Sequence, residues 1–526
     1  MGSVSIGWID ITIVFLYLIF IIWWGLRHGK SSDAGSYFLA GRSMPWWVVG
    51  LSLFAASISS TTLIGQCGDA YDTGIAVFNY NLTGVVVMVF FATFLLPLYI
   101  KSKIFTIPEF LEKRFDKRSR YYFSAICIIG NIFLDAAGAL YAAALIIKLV
   151  FPSADLQLII LIFAILAASY TIPGGLSSAI NAELIQAVIL IVGSVILTVA
   201  CFANGGGEYL AGLFASGDSA VKLIRPLSDP ATPWLGLIVG MPVSGIYFWA
   251  NNQTLVQRVL SSKSVDEGRK GVMFAGLLTL ITLFIIVFPG VIARNLFPGI
   301  ERPDMIYPTL VLKLLPTGLL GIMLSALLAA LTSTLSAILN STSTLFTMDF
   351  YAQARPGTDS KKLVLIGKIT ALVIIVIAAL WAPNIGKFGS LLKYYQEMLS
   401  YIAPPVVAAF LLGIFSKRVN GNGAFVGLLS GLAMAVVMLL WRHRIFGEMH
   451  FLLIIPILLL FSMAVIYFAS LAYPRPAAEK LSDTTFSLKD FREEGLALRQ
   501  GRWYNNYRFW GGCLLVACAL ILVLFS

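Results

Sequence analysis

The chain has 526 residues, 59% of them hydrophobic and only 12% charged, with a mean hydropathy of +0.87. These proportions exclude an ordinary soluble domain and place the chain among proteins that cross a bilayer many times. The net charge of +11 does not call for nucleic acid, because the cytoplasmic loops of membrane proteins are basic anyway.

Residues 8–25 form the first apolar run, and Met1 to Asp10 hold no Lys or Arg. A cleavable signal peptide has the opposite arrangement, so the run reads as a first span with its N-terminus outside. Further runs near the spanning length of about 20 residues follow at 45–71, 77–100, 120–150, 157–172, 180–204, 234–258, 271–296, 318–349, 363–382, 388–415, 423–441, 449–473 and 506–525. With the first (8–27), they predict an all-α polytopic membrane protein of about fourteen transmembrane helices with both termini on the extracytoplasmic side. Most of the 37 Lys and Arg fall in or beside the loops after odd-numbered spans, most densely over Lys101 to Arg120, and these loops are expected to be cytoplasmic. The polar segment Pro474 to Tyr504 reads as a solvated connection.

Three spans are polar in their interiors. The second carries Ser57, Ser59, Ser60, Thr61 and Thr62, then Gly65 and Gly68. Backbone groups freed by a break there cannot face lipid, where each unsatisfied one costs several kcal/mol. Freed carbonyls and hydroxyls suit a small hard cation, and half-helix ends suit a polar solute; the alternative is a helix whose hydroxyls bond back to their own carbonyls. Span seven has the polar centre Trp249 to Arg258. The ninth holds Thr332, Ser333, Thr334, Ser336, Asn340, Ser341, Thr342, Ser343 and Thr344 on more than one face, which predicts an interior helix. Breaks in spans two and seven are what an inverted five-plus-five repeat would place.

Asp135, midway along span four, and Glu183, near the start of span six, are ionisable residues at membrane depth and so candidates for function. For Asp135 the alternative is a carboxyl satisfied by neighbouring helices or held protonated by desolvation; for Glu183 a solvated structural carboxylate near the cytoplasmic interface is an equal alternative. The five cysteines show neither metal-ligand spacing nor a disulfide pattern. The Asn-X-Ser/Thr matches at Asn81, Asn252 and Asn340 lie inside spans and read as chance.

The segments Thr106-Ile-Pro-Glu-Phe-Leu-Glu-Lys-Arg-Phe115 and Tyr37-Phe-Leu-Ala-Gly-Arg-Ser-Met-Pro-Trp46 resemble signatures of the sodium/solute symporter family. Asn252 to Arg258, Leu339 to Asp349 and Phe410 to Phe415 fit the same family, in register from about residue 35 to 418. The likeness points to its sodium/sugar cotransporter branch. It implies a LeuT-like core over 44–418 (spans two to eleven), preceded by a first helix and cytoplasmic loop over 1–43. Three peripheral helices over 419–526 would follow, with a polar loop near 474–504.

By this resemblance, sodium is held by backbone carbonyls of Ala55 and Ile58 and by Ala330, Ser333 and Thr334. Relatives carry Trp-Thr-Asp where this chain has Asn181-Ala182-Glu183, with the aspartate tied to the ion site; Glu183 keeps the carboxylate with one extra methylene. Positions that bind galactose in relatives are taken here by Ser57, Thr62, Asn81, Gly84, Gly245 and Thr279, and only Gln396 matches well. Asp135 enters a position that is neutral in galactose-type relatives and looks like an arginine in those taking sialic acid; it would disfavour anions and receive hydroxyls or an ammonium. Gln66 and Tyr80 are the implied outer gates and Phe248 the inner one.

The resemblance implies a sodium-coupled symporter that imports a small polar solute, a sugar or polyol first and an amine-bearing or other organic solute second. Na+ is then the coupling ion and no other cofactor is expected. The partners are the solute, Na+ and the lipid of the cell membrane, with no nucleic acid. A transporter-fold sensor is the rival of another class, weakened by a chain that ends directly after its last span. An enzyme is poorly supported, because three histidines and no clustered catalytic set leave little chemistry to assign.

Overall fold

The computed structural model of the protein describes residues 7–28, 33–58, 60–150, 153–388, 391–447 and 449–526. Among them there is no strand, only two isolated bridges. The helices that matter here are α1 (Trp8–His28), α2 (Trp46–Ser57), α3 (Ser60–Thr73) and α4 (Asn79–Phe90). Next come α5 (Lys117–Gly130), α6 (Ala137–Val150), α7 (Leu156–Cys201), α8 (Met241–Ile246) and α9 (Gln253–Leu260). They are followed by α10 (Val265–Thr282), α11 (Leu319–Thr344), α12 (Ser360–Trp381) and α13 (Leu391–Phe415). The last four are α14 (Gly421–Leu440), α15 (Phe451–Leu471), α16 (Leu488–Gln500) and α17 (Tyr507–Leu524).

Eleven helical stretches among the described residues are long and apolar enough to cross a membrane. The other three expected spans are the short or interrupted ones. α2 stops where Ile58 leaves helical geometry (φ −89°, ψ 81°) and α3 resumes at Ser60; Ser59 and the side chains of Ser60 and Thr61 lie outside what is described. Span seven divides into α8, a π turn over Tyr247–Asn251, an extended Asn252 (φ −71°, ψ 118°) and α9. Spans five and six share α7, which has Pro173 inside and is parted at Gly175 (φ 62°, ψ −154°). A Cβ at Gly175 would lie 2.6 Å from the carbonyl oxygen of Tyr37, so both the positive φ and the close approach require glycine there.

α11 packs along α7 and α1 and is buried on all faces over nearly its whole length. That is the interior position its hydroxyl content predicts, since lipid offers such groups no partner. Asp10 of α1 fixes its start: Oδ1 accepts from Gly318 N and Gly321 N, each at 2.7 Å, satisfying donors that a helix N-terminus leaves free.

The loops after odd-numbered spans meet one another at one end of the bundle. Arg42 Nη2 donates to Ile104 O at 2.9 Å and Trp46 N to a Glu267 carboxylate oxygen at 2.7 Å. Arg114 donates to the carbonyls of Gly413 (2.6 Å), Ser416 (2.8 Å) and Val419 (3.0 Å). The family-like segment Thr106 to Phe115 thus staples this basic end. A buried Asp349 in the π-helical turn that follows α11 (Leu345–Tyr351) accepts from Thr106 Oγ1 (2.7 Å), Ser124 Oγ (2.5 Å) and Arg120 (2.6 Å).

The segment after α15 is largely exposed, as expected of a solvated connection, but it is ordered and docked at a few points. It contains α16, and Lys480 donates to Phe115 O. Phe486 and Phe491 pack on Phe94 with ring centroids 5.5 and 5.8 Å away. Glu494 accepts from Arg269 (2.5 Å), Tyr507 (2.9 Å) and Arg508 (3.0 Å). Burial opposes its charge, but these donors outweigh burial and hold its carboxyl below the usual range.

Candidate functional site

The two interrupted spans face a cavity of about 160 Å³. Ser57, Ile58, Thr62 and Gln66 line it from α2 and α3, Tyr80 and Asn81 from α4, and Asp135 from the π turn between α5 and α6. Gly245, Phe248, Trp249, Asn252 and Thr254 come from span seven, Thr279 and Thr282 from α10, Thr334 and Ile338 from α11, and Tyr395 and Gln396 from α13. The site is therefore assembled where helix geometry fails, which frees polar backbone inside protein and away from lipid.

Of the expected solute contacts, Ser57, Thr62, Asn81, Asp135, Gly245, Thr279 and Gln396 share this cavity, and so do the expected gates Gln66, Tyr80 and Phe248. Gly84 does not. A Cβ there would sit 2.6 Å from Trp249 Nε1, so Gly84 makes room for the indole that itself forms the wall. Asn81 is already engaged: its Oδ1 accepts from Gln66 Nε2 at 2.7 Å and its Nδ2 donates to Thr282 Oγ1 at 2.5 Å. This chain of side chains joins α3, α4 and α10.

The residues expected at the ion lie where α2 ends against α11. Ser333 Oγ is 3.4 Å from the Ala55 carbonyl oxygen, long for a hydroxyl–carbonyl hydrogen bond. Thr334 Oγ1 donates to Ala330 O at 2.9 Å, and Ile58 and Thr334 reach the cavity wall. Back-bonding hydroxyls are real on α11, at Thr332, Thr342 and Thr344 as well. Others bridge helices: Ser336 to Thr171 at 2.6 Å and Thr342 to Asn131 at 2.9 Å.

Glu183 differs from its expected surroundings. It is buried with no exposure, so it is not a solvated carboxylate. Oε1 accepts from Arg258 Nη2 at 2.5 Å, while Oε2 accepts from Arg258 Nε at 3.2 Å and from Ser52 Oγ. Ser52 belongs to α2 and Arg258 to α9, so one carboxylate ties the basic-end halves of both interrupted spans. Beside it on α9, Gln257 Nε2 donates to Phe38 O (2.6 Å) and Thr344 Oγ1 (2.8 Å), and Gln253 Oε1 accepts from Ile107 N at 2.8 Å.

Asp135 has no lysine or arginine beside it in the cavity wall among the described residues. Its protein donor is the Tyr395 hydroxyl of α13. It also borders a narrower chamber lined by Asn131, Tyr247, Asn252, Gln253 and Tyr395, toward the basic end. Sequence reasoning missed Tyr395, Thr254 and Trp249. Trp249 and Thr254 lie in the polar centre of span seven and Tyr395 stands beside Gln396, but which members of those runs turn to the cavity is set by the fold. No group of three or more His, Cys, Asp or Glu able to hold a metal is found among the described residues.

Comparison with known proteins agrees with this architecture. The model of the sodium:solute symporter family matches residues 37–431. Human sodium/myo-inositol cotransporter 2 is 34% identical over 471 residues, covering 82% of this chain and 69% of that protein. A sodium/glucose cotransporter of Vibrio parahaemolyticus is 34% identical over 500 residues, covering 89% of this chain and 91% of that one. The solved structure of a Na+-coupled sialic acid symporter, in a substrate-bound outward-open state, superposes with a TM-score of 0.79 at 23% identity, over 90% of this chain and 99% of that chain. That likeness shows a shared fold, LeuT-like with two interrupted helices.

Proposed function

Because the chain belongs to the sodium:solute symporter family, it is a multi-pass membrane transporter that couples a small solute to Na+, and we propose that the solute is a sugar or polyol carried inward by alternating access. The observation that carries this reading is the juxtaposition of two things: a hydroxyl-lined cavity, and beside it the freed end of α2 against Ser333. Relatives named for glucose and for myo-inositol support the solute class.

In this reading Ala55 O, Ile58 O, Ala330 O, Ser333 Oγ and Thr334 Oγ1 hold the ion. Oxygens at right angles around a cation held at about 2.4 Å stand about 3.4 Å apart, which fits the Ala55–Ser333 separation. Ligands from two helices hold the ion only while the helices are close, so sodium favours the arrangement in which α2 lies against α11. The solute, received by Ser57, Thr62, Asn81, Thr279 and Gln396, joins the elements around the cavity. Gln66 and Tyr80 close it from one end and Phe248 from the other. Glu183 acts as a positioning residue that makes the basic-end halves of both interrupted spans move as one.

The transport core spans 44–418, with 1–43 and 419–526 peripheral to it. The basic end faces the cytoplasm and both termini lie outside the cell membrane, as the charge of the connections favours. One charge crossing 100 mV supplies about 2.3 kcal/mol, and a tenfold sodium gradient adds about 1.4 kcal/mol. Together they support accumulation of several hundredfold, on the order of 10^2.7, per ion carried.

The test is binding to purified protein in sodium and in an equal concentration of choline. A sugar or polyol that raises the melting temperature only in sodium is the expected result. Equal shifts in both salts, or none from any sugar or polyol, would overturn the assignment.

A further inference from the structure

Asp135 is the one charged side chain among the described residues that line the cavity. Its protein donor there, the Tyr395 hydroxyl, supplies a hydrogen bond and no charge. Asp135 is only partly exposed, and a carboxylate drawn into a cavity is costly unless a cation or hydrogen bonds meet it. Part of that wall is the aromatic residues Phe248, Trp249 and Tyr395, and ring faces attract cations. A second, independent feature points at the same solute. Thr254 Oγ1 is buried without a hydrogen-bond partner among the described residues, its residue only 7% exposed, and it lines the cavity at the second position of the half-helix whose start Asn252 caps. A buried hydroxyl left unpaired costs free energy that a bound polar group recovers.

We propose that the transported solute carries a primary ammonium, as an amino sugar or aminocyclitol does, with the ammonium held by Asp135 and its hydroxyls met by Thr254 and Gln396. This rests on the sugar-or-polyol reading of the cavity and narrows it. The ammonium supplies the counter-charge that no described side chain of the cavity wall provides, and its remaining hydrogens face oxygen acceptors and ring faces. A neutral polyol leaves the carboxylate without a counter-charge from the described wall, and an anionic sugar places two like charges together.

Matched probes isolate the charge: glucose, glucosamine and N-acetylglucosamine, then myo-inositol against an aminodeoxy-inositol, each titrated calorimetrically into full-length protein in sodium. The expected ranking in wild type is the amine about tenfold or more tighter than its neutral parent, with the N-acetyl form losing that gain. Asp135→Asn erases the advantage while still binding the neutral member, and Asp135→Glu keeps it, which guards against a variant that merely fails to assemble. Thr254→Val weakens amine and parent alike. Wild type that binds the neutral member as tightly as the amine overturns the ammonium assignment and leaves the sugar-or-polyol reading in place. Binding of neither in sodium overturns both.

Discussion

Replacing Glu183 with Gln removes the one countercharge that the described residues give Arg258, and both side chains are fully buried. The amide keeps the volume and offers one acceptor where the carboxylate offered two, so the guanidinium loses its paired contacts at 2.5 and 3.2 Å. Breaking a buried pair from one side costs about 3–5 kcal/mol, chiefly because a charge is left uncompensated. Restoring neutrality with Glu183→Gln plus Arg258→Met is expected to recover most of that loss, since an apolar replacement of a buried pair is often neutral or better. Aspartate keeps the charge but is one methylene short of spanning Ser52 and Arg258, so it recovers only part. The assay is thermal unfolding of wild type and the three variants, read alongside the sodium activation curve of solute binding. A Gln variant that melts with wild type while its sodium affinity alone falls would refute the reasoning, and would make Glu183 an ion ligand instead of a tie between two half-helices.

Ser333→Ala and Thr334→Ala each should shift the sodium activation of uptake by about tenfold, with solute affinity at saturating sodium little changed; wild-type activation curves in both would show that the ion lies elsewhere. Gly84→Ala drives a methyl to 2.6 Å from the Trp249 ring nitrogen, so solute binding should weaken although Gly84 lies outside the cavity; unchanged affinity in titration would contradict the packing role. Asp10→Ala strips the acceptor from Gly318 N and Gly321 N and should lower stability by about 1–2 kcal/mol, with a wild-type melting temperature as the contrary result.

The interior position of α11 was legible because hydroxyls on several faces of one helix have nowhere to go in lipid. The breaks were legible too, from serine, threonine and glycine crowding the second span and amides crowding the seventh. Other features needed the fold. Glu183 and Arg258 are 75 positions apart, and nothing local in either stretch marks the partner; without it, Glu183 reads equally as a functional residue or as a carboxylate near water. Gly84 was placed in the wall by analogy of position, whereas its missing side chain accommodates Trp249. The segment around Phe486 and Phe491 reads as polar by its charges, yet its two aromatic rings dock on Phe94, a contact that only the assembled basic end creates. Tyr395 reaches Asp135 from another helix, so the sequence showed the carboxylate and not its donor.

Uptake into proteoliposomes tests the central claim most directly. Purified protein is reconstituted with sodium outside and potassium inside, and valinomycin sets the interior negative. The account predicts that labelled sugar, polyol or amino sugar accumulates above its external concentration, that accumulation collapses when choline replaces sodium, and that it falls when the potential is abolished. Uptake that never exceeds equilibration, or that proceeds equally in choline, would contradict sodium-coupled transport through this site.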